Sequence, residues 1–280
     1  MEGAVTVPGV VASKGSRRLV MLTAYDAPTA RWGEAAGADI LLVGDSLAMV
    51  VLGHETTLAV TLDEMLHHAR AVTRTARRCL VVGDLPFGAT QPSVQATVSS
   101  GVRYLKEAGV QAVKLEGPWP DRVEALVRAG IPVVGHLCLT PQSVHHFGGD
   151  RVQGRSLEDA LALLEAAVSL EEAGCFALVL EGVPSEVAAV ITRRLRIPTI
   201  GIGAGAGCDG QVLVVHDLLG ISPAPLPRFV TAYEDLGGLA VDAASRWAED
   251  VRDGRVPSPE QSYHLATEVA DRWRTACGEA

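Results

Sequence analysis

Residues 80–136 read LVVGDLPFGATQPSVQATVSSGVRYLKEAGVQAVKLEGPWPDRVEALVRAGIPVVGH, and this stretch decides the fold. It holds three short apolar runs, rich in Val and Leu and bounded by turn residues, as is typical of fully buried strands. These runs are residues 80–84, 111–115 and 132–136. Helical patterns fill the two intervals between them, at residues 93–108 and 122–129. Strands that alternate with helices of this length predict parallel βα units.

The same alternation extends over most of the chain in both directions. Further buried strands are predicted at residues 19–24, 39–43, 176–180, 198–202 and 211–215. Further helices are predicted at residues 61–77, 157–173 and 185–195. Eight strands in such units close most naturally into a (β/α)8 TIM barrel, with an open doubly wound sheet as the alternative. We expect a single domain over residues 1–280, with the barrel core at about 19–220 and a C-terminal helical segment at about 228–280.

The composition of the 280 residues limits the classes of function. Apolar residues make up 48% of the chain, which is enough for a large core. A net charge of -9 argues against nucleic-acid and anionic-membrane partners, which require concentrated Lys and Arg. The five cysteines are scattered without CxxC spacing, so neither disulfides nor a zinc cluster are expected. No apolar run is long enough to span a bilayer, and we expect a cytoplasmic protein.

Polar and charged residues follow the predicted strands at their C-terminal ends, where (β/α)8 barrels gather their chemistry. In chain order they are Asp45, Ser46, Asp84, Lys114, Glu116, His136 and Glu181. Four acids with one lysine leave an excess of negative charge, which a divalent cation would neutralise. Oxygen ligands without a Cys or His cluster favour Mg²⁺ over Zn²⁺. The alternative for a single acid, such as Asp45 beside Ser46, is that it caps the following helix.

Two further features are less specific. His136 is a candidate catalytic residue because it lies at the mouth, our term for the C-terminal ends of the barrel strands. The glycine run at residues 201–210 contains a GxGxxG match, but it does not follow the first strand of a Rossmann unit, so we reject a dinucleotide site. Approach of its backbone to a ligand and tight packing are equally good explanations of the run.

Five motifs together resemble the ketopantoate hydroxymethyltransferase family: GDSL at 44–47, GDLPF at 83–87, VKLEG at 113–117, GHLCLTPQSV at 135–144 and GIGAG at 201–205. The resemblance implies a (β/α)8 barrel that moves a one-carbon unit from 5,10-methylenetetrahydrofolate to C3 of 3-methyl-2-oxobutanoate. The product would be 2-dehydropantoate (ketopantoate), a precursor of pantothenate and coenzyme A. The resemblance also implies Mg²⁺ and a homo-oligomer, typically a decamer.

The resemblance further implies roles for residues at matching positions. Asp45 and Asp84 would hold Mg²⁺ directly, and Glu116 would complete its shell, directly or through water. The oxo acid would be bound by Asp45, Ser46, Asp84 and Lys114. Glu181 would be the proton acceptor, and Lys114 would stabilise the charge that develops on the substrate.

Loops around the mouth depart from the family pattern at Ala48 and at residues 57–61, 88–90 and 148–152, which leaves the acceptor and the folate contacts open. The first rival is a divergent relative that hydroxymethylates a different 2-oxo acid. The second is a Mg²⁺-dependent C–C lyase or mutase of the phosphoenolpyruvate/pyruvate type. The third is a catalytically silent barrel that serves as a binding module, against which the intact set of acids argues.

Overall fold

The computed structural model describes residues 3–139, 142, 154–222 and 225–279. The strands in these ranges are β1 Leu19–Thr23, β2 Ile40–Val43, β3 Leu80–Asp84, β4 Ala112–Glu116, β5 Val133–Cys138, β6 Ala177–Glu181, β7 Thr199–Ile202 and β8 Gly210–Leu213. They are parallel and form a closed barrel in sequence order. Hydrogen bonds between β1 and β8 complete the ring. The structure therefore confirms the predicted (β/α)8 fold, and the open sheet is excluded.

The described helices include one at each position that the sequence predicts. In the described residues they are α1 Val7–Ala12, α2 Ala27–Ala35, α3 Leu47–Val50, α4 Leu62–Thr75, α5 Val94–Arg103, α6 Pro120–Arg128, α7 Leu157–Glu172, α8 Ser185–Arg194, α9 Val215–Leu218, α10 Leu236–Arg252 and α11 Thr267–Ala276. The predicted helix at 93–108 is α5 followed by a π-helical turn, Tyr104–Ala108. The sequence does not predict α1, because its six residues are too few to show helical periodicity.

The start of α4 shows how local sequence positions a helix. Thr61 Oγ1 accepts a hydrogen bond from the backbone N of Glu64 at 3.3 Å. The Glu64 carboxylate in turn accepts one from the backbone N of Thr61 at 2.8 Å. This capping box satisfies amides that have no partner inside the helix, and losing such a cap typically costs about 1 kcal/mol. It therefore fixes the residue at which the chain enters α4.

Two layers of apolar side chains stabilise the barrel. One fills the barrel interior and includes Met21, Val82 and Ile200. The other lies between the strands and the helices and includes Val81 and Leu126. Full burial of an apolar side chain of this size contributes about 1.5–3 kcal/mol. Because both faces of the strands are buried, a charged residue on a strand is exceptional and points to function.

The glycine run at residues 201–210 connects β7 to β8 and packs against α8. A Cβ atom at Gly205 would lie 2.5 Å from Cβ of Ser185, and one at Gly207 would lie 2.9 Å from Cβ of Ala189. Both distances are too short for any side chain without a shift of α8. Close packing therefore explains these two glycines. A dinucleotide site is not needed to explain them.

The chain divides into two compact units, Met1–Tyr233 and Glu234–Ala280. The first unit contains the barrel. The second contains α10 and α11, and α10 begins after Asp235, whose side chain accepts a hydrogen bond from the backbone N of Gly238 at 2.9 Å. Among the described residues, no helix has the length and apolar character needed to cross a membrane.

Cys138, the last residue of β5, has a strained backbone. Its φ angle is +92°, in the left-handed region that favours glycine, and its side chain is buried. For a residue with a Cβ atom this region costs roughly 1–2 kcal/mol. The next residue, Leu139, donates its backbone N to the carbonyl O of Glu181 at 3.0 Å. The strain therefore lies where the chain turns at the mouth, and strain of this kind concentrates at functional sites.

We expect the Cys138→Gly variant to be more stable than Cys138→Ala by about 1 kcal/mol, because both lose the thiol but only alanine keeps the strained Cβ. Urea unfolding followed by circular dichroism measures the difference. Ala162, exposed in the middle of α7, is the control, since glycine there should be less stable than alanine by about 1 kcal/mol. Equal stability of the two Cys138 variants would show that no strain is stored at this residue.

Candidate active site

Asp84 and Lys114 form a buried ion pair at the mouth. Asp84 ends β3 and is the register partner of Lys114 on β4, so the two side chains lie next to each other. Lys114 Nζ donates to Asp84 Oδ2 at 2.6 Å, and the two side chains are 5% and 1% exposed. Lys114 and Glu116 are two residues apart and both buried in the barrel, as strand alternation predicts for residues on one face.

Asp45 reaches the same pair from the neighbouring strand. It lies just beyond β2, and its backbone N donates to Asp84 Oδ2 at 3.2 Å. Its side chain is buried, so the carboxyl groups of Asp45 and Asp84 share one dry environment. Ser46, which precedes α3, places its hydroxyl 2.8 Å from that of Tyr25. The structure thus brings together the aspartates that the sequence analysis placed at one site.

His136 lies between two glutamates. Its Nδ1 atom is 3.6 Å from Glu116 Oε2, and its Nε2 atom is 3.2 Å from Glu181 Oε2. Neither ring nitrogen has a hydrogen bond of good geometry among the described residues, so these contacts are chiefly electrostatic. Burial and Lys114 lower the pKa of His136, but the two glutamates outweigh them and raise it to about 9. The ring is therefore an imidazolium at neutral pH and ties Glu181 to the buried cluster.

The carboxyl groups of this site are crowded in a medium of low polarity. Burial raises the pKa of Asp84 to about 7, despite the opposing effect of Lys114. Burial likewise raises the pKa of Glu116. Burial lowers the pKa of Lys114, but attraction by Asp84, Asp45 and Glu116 outweighs it, and the net pKa is raised. Lys114 is therefore an ammonium ion. The carboxyl groups around it can still bind a cation or a proton.

Two buried carboxylate oxygens have no hydrogen-bond partner in the described part of the chain, namely Asp84 Oδ1 and Glu116 Oε2. Such atoms are costly in a folded protein and indicate an ion or ligand. The described residues contain no group of three or more His, Cys, Asp or Glu side chains placed to hold a metal ion by themselves. A cation bound here would therefore take part of its coordination shell from water or a bound ligand. The carboxylate and ketone oxygens of a 2-oxo acid fit this requirement, and an all-oxygen shell suits Mg²⁺.

Two residues of the site are absent from the sequence predictions. Gln142 lies in the GHLCLTPQSV motif, and its buried amide Nε2 donates to Asp45 Oδ2 at 2.9 Å. Tyr25 follows β1 and is buried beside Ser46. Tyr25 could have been found, because it lies two residues beyond the end of β1, as Asp45 lies two residues beyond the end of β2. Gln142 carries no comparable signal, since it lies four residues beyond the end of β5.

The departures from the family pattern that the structure describes follow β2 and β3 in the chain. Ala48 in α3 is buried, as are Ala89 and Thr90 in the loop after β3. The departure at residues 148–152 lies outside the described residues. None of the departures changes Asp45, Asp84, Lys114, Glu116 or Glu181.

Comparison with solved structures supports the fold alone. A phosphoenolpyruvate phosphomutase from Streptomyces platensis subsp. rosaceus superposes with a TM-score of 0.60 at 16% sequence identity, over 99% of this chain and 97% of that chain. A phosphonopyruvate hydrolase, solved as a complex with oxalate and Mg²⁺, has a TM-score of 0.60 at 13% identity. At this level of identity the chemistry of these proteins does not carry over.

Comparison of sequences is far more specific. The family model described as ketopantoate hydroxymethyltransferase matches residues 4–259. A 3-methyl-2-oxobutanoate hydroxymethyltransferase from Oleidesulfovibrio alaskensis is 56% identical over 272 residues, which cover 96% of this chain and 94% of the relative. A protein of the same name from Aeropyrum pernix is 50% identical over 269 residues, covering 95% and 97%. With matches of this extent, the chain belongs to the ketopantoate hydroxymethyltransferase family of transferase enzymes.

Proposed function

We propose that this enzyme transfers a hydroxymethyl group from 5,10-methylenetetrahydrofolate to C3 of 3-methyl-2-oxobutanoate, giving 2-dehydropantoate for pantothenate and coenzyme A synthesis. The balanced reaction consumes one water and releases tetrahydrofolate. The names of the relatives support the acceptor and the product. The observation that carries the proposal is the buried cluster of Asp45, Asp84 and Lys114, in which Asp84 Oδ1 has no hydrogen-bond partner among the described residues.

Asp45 and Asp84 would hold Mg²⁺ directly, and Glu116 would complete the shell through water. The unpartnered oxygens Asp84 Oδ1 and Glu116 Oε2 support these assignments. When bound, Mg²⁺ would act as a Lewis acid toward the ketone of the oxo acid. The burial of Asp45 and Asp84 excludes bulk water from the charged groups, which strengthens their attraction for a cation.

Glu181 would accept the proton that C3 of the oxo acid loses. It ends β6 at the mouth, and its side chain is 18% exposed, so a substrate can reach it while the rest of the cluster stays buried. His136, at 3.2 Å from Glu181 Oε2, would position the carboxylate as a positively charged neighbour. An oriented carboxylate within reach of the proton is the requirement for general-base catalysis.

Lys114 and Ser46 would bind the oxo acid on the other side of the cluster. The Lys114 ammonium supplies positive charge where the substrate carboxylate and the developing oxyanion lie. Ser46 can donate to the substrate carboxylate, and its hydroxyl is oriented by the Tyr25 hydroxyl at 2.8 Å. These contacts would hold the acceptor in one orientation, so that one face of C3 meets the folate.

Turnover assays with different acceptors test this proposal. We expect efficient reaction of 3-methyl-2-oxobutanoate, little reaction of pyruvate or 2-oxobutanoate, and none without the folate. EDTA should abolish turnover, and added Mg²⁺ should restore it. A strong preference for an unbranched acid would favour the divergent relative. C–C bond cleavage without any folate would favour the lyase, and a chain that neither reacts nor binds Mg²⁺ would be the silent barrel.

A further inference from the structure

Gln142 contacts carboxylates of the proposed metal site but is not itself a proposed metal ligand. Its side chain is 6% exposed. Its amide Nε2 donates to Asp45 Oδ2 at 2.9 Å and to the carbonyl O of Leu85 at 3.0 Å. Its backbone N donates to Glu116 Oε1 at 2.9 Å. One residue therefore contacts two of the three carboxylates that would surround the cation, and the loop that follows the third.

We propose that Gln142 is a positioning residue for the metal site, which orients Asp45 and Glu116 so that their remaining oxygens face the cation or its water. This inference rests on the proposed function, because it assumes that Mg²⁺ binds at Asp45 and Asp84. It identifies a residue that does not coordinate the cation but on which the affinity for the cation depends. Residues that hold metal ligands in this way typically contribute 10–100-fold to affinity or activity.

The orientation of the Gln142 amide follows from its two acceptors. Both the carboxylate of Asp45 and the carbonyl of Leu85 only accept hydrogen bonds, so the amide nitrogen must face them. A glutamine donates both bonds without adding charge. A lysine at this position would neutralise Asp45 and oppose a cation, whereas an amide orients the carboxylate and leaves its negative charge available.

The two oxygens of a carboxylate differ in the same way in Asp84 and in Glu116: one accepts hydrogen bonds from the described residues and the other does not. Asp84 Oδ2 is engaged by Lys114 and by the backbone N of Asp45, while Asp84 Oδ1 has no partner in the ranges that the structure describes. Glu116 Oε1 is engaged by the backbone N of Gln142, while Glu116 Oε2 has no hydrogen bond from any described residue. In each case the chain holds one oxygen by hydrogen bonds, and the other oxygen lacks them; Glu116 Oε2 has only its electrostatic contact with His136 Nδ1 at 3.6 Å. The backbone N of Gln142 donates this hydrogen bond to Glu116, and its side-chain amide donates one to Asp45.

Gln142→Met is the test, because methionine keeps the length of the side chain and the backbone N but removes the amide donor. Isothermal titration with MgCl₂ alone should show Mg²⁺ affinity about 10-fold weaker than in the wild type, within the 10–100-fold range of such contacts. The control is Gln111→Met at the other end of the barrel, where Gln111 Oε1 accepts from the backbone N of Val81 at 2.8 Å. That variant loses a comparable bond to the backbone and should keep wild-type affinity.

The outcomes separate this inference from the proposed function. Weaker binding in Gln142→Met with unchanged binding in Gln111→Met supports the positioning role. If the wild type binds Mg²⁺ and the Gln142→Met variant binds it equally well, the inference is wrong and the proposed function stands. If both variants weaken binding equally, Gln142 acts only through general stability and the inference is also wrong. If the wild type binds no Mg²⁺, the metal site and the inference both fail.

Discussion

The Glu181→Gln variant is expected to lose about 1,000-fold in kcat, within the 10²–10⁴-fold range that a general base contributes. The amide has the shape of the carboxylate but cannot accept the C3 proton. Proton removal can be observed apart from transfer, by following exchange of the C3 hydrogen of 3-methyl-2-oxobutanoate for deuterium in D₂O by NMR. This exchange requires no folate, so the variant should lose it together with turnover.

Two controls separate loss of the base from damage to the site. Mg²⁺ binding to Glu181→Gln should match that of the wild type, because Glu181 contacts His136 rather than the aspartates. Glu186→Gln, an exposed glutamate in the first turn of α8, should retain full exchange and turnover. Normal deuterium exchange in Glu181→Gln would mean that another group removes the proton, and the assignment of Glu181 would be withdrawn.

The barrel and most of the site could be predicted because they depend on features that are local in sequence. Parallel strands buried on both faces require near-continuous apolar runs, which are visible without any knowledge of contacts. Closure of the barrel then brings every strand's C-terminal end to one mouth. Asp45, Asp84 and Glu181 could therefore be grouped before any distance between them was known, and their charge indicated a cation.

The contacts of Gln142 could not be predicted in this way, because Gln142 lies beyond the end of β5, where no strand pattern places its side chain. The chain leaves β5 through the positive φ angle of Cys138, which no local pattern predicts for a residue other than glycine. Four residues later, Gln142 reaches Asp45, which is distant in sequence. The contacts of His136 with two glutamates could not be predicted either, because they depend on the register between β4, β5 and β6.

The Asp84→Asn variant is expected to lose Mg²⁺ binding and, with it, at least about 1,000-fold in turnover. Asp84 is the carboxylate that contacts both Lys114 and Asp45, so it lies at the centre of the cluster. Asparagine keeps the shape but removes the charge that would attract the cation, which matters most where water is excluded. Thermal unfolding with and without Mg²⁺ measures the binding. At 100 times its Kd, a ligand stabilises the folded state by about 2.7 kcal/mol, and this gain should be absent from the variant.

The stability of the metal-free variant shows whether the loss is specific. Burial raises the pKa of Asp84 to about 7, so ionising this carboxyl costs the folded protein stability as the pH rises from the unfolded value towards 7. Asparagine avoids this cost but leaves the buried Lys114 ammonium without its partner at 2.6 Å. Losing one partner of a buried ion pair typically costs about 3–5 kcal/mol, so the metal-free variant should be less stable than the wild type at neutral pH. Asp39→Asn is the control: Asp39 is a buried aspartate at the opposite end of the barrel, paired with Arg17 at 2.8 Å, and this variant should keep the stabilisation by Mg²⁺. Full stabilisation of Asp84→Asn by Mg²⁺ would place the cation elsewhere, because Asp84 is one of the two proposed direct ligands and contacts both Lys114 and Asp45.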